Sequence, residues 1–278
     1  GTLHNTYSFF ALYANLDRFD GNAPVITVDQ RPEIDRWIIS KLHSLTGTAR
    51  KGYDEYEPTR VARAIQGFVI DDLSNWYVRL NRKRFWVGEM TADKMAAYQT
   101  LYECLHTVAV LASPLAPFYM DRLYLDLTTA DNGPDGQSVH LRDFPEKEQS
   151  LIDEDLETRM ALAQRISSLV HSLRKQHKIK VRQPLDKILL PVLSEKTREQ
   201  IEQVGDLIKS EVNIKNISFV DNTSGVIIKK AKPNFRKLGK LYGPRMKSIA
   251  AAVSRLGQEE IGQFEKEGVL NLDTDGGV

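Results

Sequence analysis

Apolar residues in the first half of the chain recur at helical spacing, in blocks separated by turn-forming residues. Behind Pro58, the positions Val61, Ile65, Val69, Leu73, Trp76 and Leu80 make one such row. They predict a helix with one buried face that runs to Trp86 before Gly88 breaks it. At 3.6 residues per turn, Asn75, Arg79, Arg82 and Trp86 fall on a second line, roughly 100° from the first. Segment 1–17 reads as an earlier helix carrying Phe9, Leu12, Tyr13 and Leu16, closed by Asp20, Gly21 and Asn22. Pro32 opens the next, with Ile34, Trp37, Ile38, Leu42 and Leu45 as its stripe. Thr91 or Asp93 can cap a helix that carries Ala97, Leu101, Cys104, Leu105, Val108 and Leu111. Ser113-Pro114 and Ala116-Pro117 interrupt it, and a short helix with Tyr119, Leu123 and Leu127 follows. Short connections between consecutive helices favour antiparallel neighbours, hence an up-and-down bundle.

The stretch from Thr128 to Gln149 is rich in Gly, Pro and Asp and marks the expected boundary. Residues 1–149 then form the bundle and 150–278 a C-terminal extension. Ser150 with Asp153 has capping-box spacing and opens a long helix to about His177. VRQPLDKILLPV contains a short apolar run that suits a strand ending at Pro191, and Ser194 can cap a helix through Lys209. Val212 to Val220 and Val226 to Lys230 read as strands joined across Asp221 to Gly225, a hairpin-type turn. Helices from Pro244 through Arg255 and over 258–267 complete the pattern. The fold class is therefore mainly α: an antiparallel helical bundle followed by a small α/β or α+β module.

Charge adds little globally, with 38 Lys and Arg against 37 Asp and Glu, but the basic residues cluster at 79–84, 174–187 and 229–247. Local patches would have to do any binding of polyanions. Cys104 is the single cysteine, so neither an internal disulfide nor a thiolate zinc site can form, which fits a reducing cytosol. No apolar run approaches the length of a membrane span. The chain starts without Met and stops after NLDTDGG, as expected of a piece of a longer polypeptide. Phosphate-binding glycine loops and H-E-x-x-H are absent, and His171 and His177 lie on different helix faces. His106, among apolar helix residues, reads as packing or hydrogen-bonding. Asp71-Asp72 diverge by about 100° on a helix, so capping or an Arg partner suits them better than acid catalysis.

The second line keeps its interest. Arg79, Arg82, Lys83 and Arg84 place cations beside Phe85 and Trp86. Cations neutralise phosphates and ring faces stack unpaired bases, a combination suited to looped or single-stranded RNA. A solvated basic face with a Trp closing the bundle is the plainer reading.

Phe9-Phe10 with Tyr13-Ala14-Asn15, Asp35-Arg36-Trp37-Ile38, Asp71 through Arg79 (DDLSNWYVR) and Arg84-Phe85-Trp86 resemble the anticodon-binding region of the isoleucyl-tRNA synthetases, class Ia enzymes. YQTLYE at 98–103, LASPLAPF at 111–118, Ser138-Val139-His140-Leu141, Val181 to Leu185 and Lys232 to Arg236 continue the likeness in order, across essentially the whole chain. The resemblance implies a helical bundle of the class Ia anticodon-binding type and a partner, the anticodon stem-loop of tRNA(Ile). It implies that ATP and Mg belong to a catalytic domain elsewhere in the parent chain, whose HIGH and KMSKS signatures are missing here. Arg245-Met246-Lys247-Ser248 resembles the second only superficially. The fragment is then expected to be cytoplasmic, monomeric, inactive in aminoacylation and without metal or cofactor of its own. The implied contacts are Asn75, Arg79, Arg82, Lys83, Arg84, Phe85 and Trp86. A secondary basic run comprises Lys229, Lys230, Lys232, Arg236, Lys237 and Lys240. The same region of a valine, leucine or methionine synthetase, or a helical protein-interaction module, are the alternatives. The last would need an apolar patch left over from packing, and none is evident in the sequence.

Overall fold

The computed structural model describes residues 1–19, 24–132, 137–192, 194–220 and 230–272. The chain divides into two compact units, Gly1–Lys178 and Ile179–Val278.

The first unit is a helical bundle. Its helices are α1 (Thr2–Asp17), α2 (Glu33–Asp54), α3 (Pro58–Gly67), α4 (Arg79–Trp86), α5 (Ala92–Ala112), α6 (Pro117–Asn132) and α7 (Glu154–Gln176). Between α3 and α4 the backbone does not break; it widens into a π-helix over Phe68–Val78. Three contacts fix α2 antiparallel to this continuous segment: Asp35 meets Arg84, Lys41 meets Asp72, and Gly52 meets Val61. At Gly52 an added Cβ would stand 2.6 Å from Val61 Cγ2, so the close approach of α2 and α3 needs a glycine there. Tyr53 donates to the Leu111 carbonyl at 2.9 Å, which places the C-terminal ends of α2 and α5 together. The core lies between these helices, with Trp37, Leu42, Val61, Leu73, Ala97, Leu101, Leu105 and Leu111 all buried.

Several elements depart from expectation. In α1 the inward face is Thr6, Phe10 and Ala14, whereas Leu12 and Leu16 are exposed; Phe10 packs its ring edge-on to Phe19 and Tyr98 and so sets the rotation of the helix. The cap of α7 is Asp153 itself, which accepts from the Leu156 backbone N–H at 2.9 Å; Ser150 lies in a preceding 3-10 turn. That helix, expected to head the second module, belongs with the bundle. Glu157 accepts from Ser40 and Ser44 of α2, and Arg159 pairs with Glu33. Tyr56 and Phe118 are each 91% exposed, as single side chains.

In the second unit, β1 (Leu185–Pro191) and β2 (Ile214–Val220) pair in parallel, in register from Leu185 with Ile214 to Pro191 with Val220. A parallel pair needs a crossover, supplied by α8 (Glu195–Gln203) and α9 (Gly205–Val212). These helices, read from sequence as one, are separated at Val204. Ile201, Val204, Ile208 and Val212 are their buried positions. Beyond come α10 (Phe235–Tyr242), which sequence reasoning missed, α11 (Met246–Arg255) and α12 (Gln258–Glu267). The expected strand over 226–230 and its turn fall outside the described residues but for Lys230, which is not in a strand.

Candidate nucleic-acid interface

The widened turn between α3 and α4 decides which side chains face outward. A step of four residues in an α-helix overshoots a full turn by about 40°, and the wider π turn undershoots it. Alternating the two keeps every fourth residue on one face. Val61, Ile65, Val69, Leu73, Tyr77, Asn81 and Phe85 are accordingly all buried, while Leu80, expected in that row, is half-exposed. Trp76 stays in the core as expected.

The opposite face carries Asn75, Arg79, Arg82, Lys83 and Trp86, every one of them exposed. Arg79 lies flat along the helix: its Nε donates to the Asn75 carbonyl at 2.7 Å, and its guanidinium sits 5.9 Å from the Trp76 ring centroid. Arg82 and Lys83 have no hydrogen-bond or ion-pair partner among the described residues. The Trp86 ring is 57% exposed.

Two expected contact residues are withdrawn. Phe85 is 1% exposed, edge-on between Phe9 at 5.1 Å and Tyr98 at 5.0 Å, and has no face left for a base. Arg84 turns inward to the carboxylate of Asp35, which is fully buried. Its two terminal nitrogens donate to the two Asp35 oxygens at 2.6 and 2.8 Å. The Nε donates to Asp93 at 2.9 Å, and the Tyr77 hydroxyl donates to Asp35 at 2.7 Å. Burial opposes the charge on Arg84, but Asp35 more than offsets it and holds the guanidinium above its ordinary pKa. Burial pushes the Tyr77 phenol up, and the adjacent Asp35 adds to the effect. A bidentate fork so engaged has no donors to spare for phosphate.

Beside this clamp lies a second ion pair that sequence reasoning missed, between the buried Lys94 and the half-buried Asp17. Lys94, 1% exposed, reaches Asp17 of α1 at 2.6 Å and donates to the carbonyl of Val87, just past the end of α4. Tyr98 also donates to Asp17. A lysine in the first turn of a helix reads as solvated, and no local signal marks it as a core residue.

Of the secondary basic run, Lys229 lies outside the described residues. Lys230, Lys232, Arg236, Lys237 and Lys240 are exposed, the last three on α10. Asp72 does find a basic partner, but it is Lys41 at 3.6 Å, with Gln164 donating at 3.0 Å. Burial against α2 and α7 raises its pKa, and the neighbouring Asp71 charge adds a smaller push in the same direction. His106 packs between Tyr102 and Tyr124. Burial pushes the Cys104 thiol up, which leaves it unreactive. Among the described residues no cluster of His, Cys, Asp or Glu could hold a metal ion, and no helix is long and apolar enough to cross a membrane.

Comparison with known proteins bears on what such a face serves. A family model described as the anticodon-binding domain of tRNA ligase matches residues 35–189, more than half of the chain. The isoleucine–tRNA ligase of Cytophaga hutchinsonii is 59% identical over 266 residues, 96% of this chain and 24% of that protein. That of Bacteroides thetaiotaomicron is 54% identical over 99% of this chain and 24% of its own length. That of Clostridium novyi is 41% identical over 98% of this chain and 26% of its own. The chain thus spans about a quarter of the length of these relatives. The matched stretch contains the clamp, the π segment and the exposed row, and the chain belongs to the anticodon-binding domain family of the tRNA ligases.

Proposed function

We propose that this chain is the tRNA-binding part of a longer, cytoplasmic isoleucine–tRNA ligase, and that the outer face of the Phe68–Trp86 segment grips the anticodon stem-loop. Arg79, Arg82 and Lys83 meet backbone phosphates, Trp86 stacks a base splayed from the loop, and Asn75 reads a base edge. One observation carries the reading: in a domain of this family, these five side chains lie exposed on one side of the segment while Leu73, Trp76, Tyr77, Asn81 and Phe85 are buried on the other. Phosphate contacts position the RNA, and the ring and amide supply what discrimination there is. Lys230, Lys232, Arg236, Lys237 and Lys240 form a secondary RNA contact. ATP and Mg act in the remaining three quarters of the protein, which works as a monomer. The relatives' names favour isoleucine over the sibling specificities.

Filter binding of isoleucine tRNA and a non-cognate tRNA, each at two salt concentrations, tests this. Tighter cognate binding that weakens with salt supports it, and equal affinity for both RNAs contradicts recognition of the loop.

A further inference from the structure

Trp86 is exposed, yet the backbone on either side of it is locked. Two residues before it, Arg84 is forked to Asp35 and bonded to Asp93. The residue before it, Phe85, is wedged between the rings of Phe9 and Tyr98. The residue after it, Val87, leaves the helix with φ −65° and ψ 135°, and its carbonyl accepts from the Lys94 ammonium. Being past the helix end, the Val87 carbonyl has no place in the helical ladder, and a buried cation supplies its partner. The same ammonium pairs with Asp17 and stands 6.0 Å from the Tyr98 ring centroid.

Stability alone is a poor reason for this arrangement. The buried Lys94 ammonium loses its hydration and the half-buried Asp17 much of its own, and apolar side chains of similar volume usually serve a core as well or better. What an apolar pair cannot do is hold the Val87 carbonyl. We infer that Lys94, oriented by Asp17, is a positioning residue for the RNA-binding face: it fixes the chain immediately beyond Trp86 so that the ring is presented to a base already ordered. Ordering a side chain on binding costs free energy, so releasing the carbonyl weakens affinity without removing any contacting group. The inference rests on the reading above, that this face binds tRNA.

The test uses the full-length ligase, with Asp17→Asn and Lys94→Met combined so that no buried charge is left alone. The expected result is a KM for tRNA raised roughly three- to tenfold, with kcat for aminoacylation and the tRNA-independent activation of the amino acid unchanged. Trp86→Ala runs beside it. A raised KM for Trp86→Ala with an unchanged KM for the double variant overturns the positioning role and leaves the face intact. An unchanged KM for both overturns the reading of the face and the inference together. A fall in kcat and in amino-acid activation along with the rise in KM marks a general loss of structure and also overturns it. Should the double variant fail to fold, Val87→Gly loosens the same point at an exposed position. It must raise KM with kcat unchanged, and an unchanged KM there contradicts the inference.

Discussion

Both faces of the Phe68–Trp86 segment carry arginine and aromatic rings and put them to opposite uses. Arg82 and Arg84 stand two positions apart, and of the segment's two tryptophans Trp76 is 4% and Trp86 57% exposed. On the inner face Arg84 is consumed by Asp35, and Phe85 by its neighbouring rings. On the outer face Arg82 and Lys83 keep their donors, and Trp86 keeps most of its surface. A cation serves a phosphate only where no carboxylate has already claimed it, and a ring stacks a base only where no other ring covers it. Arginine and aromatic rings occur on both faces, so for these residues the distinction rests on partners contributed from α1, α2 and α5.

Substitutions matched across the two faces can break this contrast. Arg84→Met leaves the Asp35 carboxylate buried and without its guanidinium partner, with the Tyr77 hydroxyl still donating to it. Urea unfolding should show a loss of about 3–5 kcal/mol, whereas a loss below about 0.5 kcal/mol would make Arg84 an ordinary surface residue. Tyr77→Phe removes one donor from the same carboxylate and should cost about 1–3 kcal/mol in that assay. The matched change on the outer face, Arg82→Met, should leave stability within about 0.5 kcal/mol. Its effect belongs to RNA affinity, where the slope against log salt should fall by about one unit with sequence preference unaltered.

The smallest effect concerns His43 of α2, which lies in neither row and gives the baseline. Its Nδ1 accepts from the Glu148 backbone N–H at 3.1 Å, so the ring is neutral, and burial pushes its pKa below the ordinary 6.5. Through this window the unfolded chain binds more protons, so the stability contributed by neutral His43 is present above pH 6.5 and declines as pH falls below it. His43→Asn keeps an acceptor without the titration and should flatten the decline in thermal unfolding temperature between neutral and mildly acidic pH. A decline of the same slope in the variant would assign it to other groups.

The bundle was legible because its helices are strongly periodic and end in evident breakers. The row Val61, Ile65, Val69, Leu73 points inward as read. The reading slips after Leu73 because it assumes 3.6 residues per turn, whereas the core row continues in steps of four through Tyr77, Asn81 and Phe85. That step is visible in the sequence, but only a π turn makes it one face. The outer row survives the slip because its exposed residues are adjacent enough to share the solvent side in either geometry. Arg84 and Asp35 lie 49 positions apart, and nothing local tells such an arginine from its neighbours. The placement of α7 was missed for a similar reason: the row Leu156, Met160, Ala163, Ile166 and Val170 marks a buried face without saying which element covers it, and the partners Ser40, Ser44, Glu33 and Asp72 lie far away in sequence.

The dissociation constant of the full-length protein for isoleucine tRNA, compared between the native chain and Arg82→Ala with Trp86→Ala, bears most directly on the division between the two faces. Binding at least tenfold weaker, roughly 1.4 kcal/mol, with thermal unfolding unchanged, is the predicted result. An unaltered dissociation constant would mean that tRNA is held by some other surface of the protein.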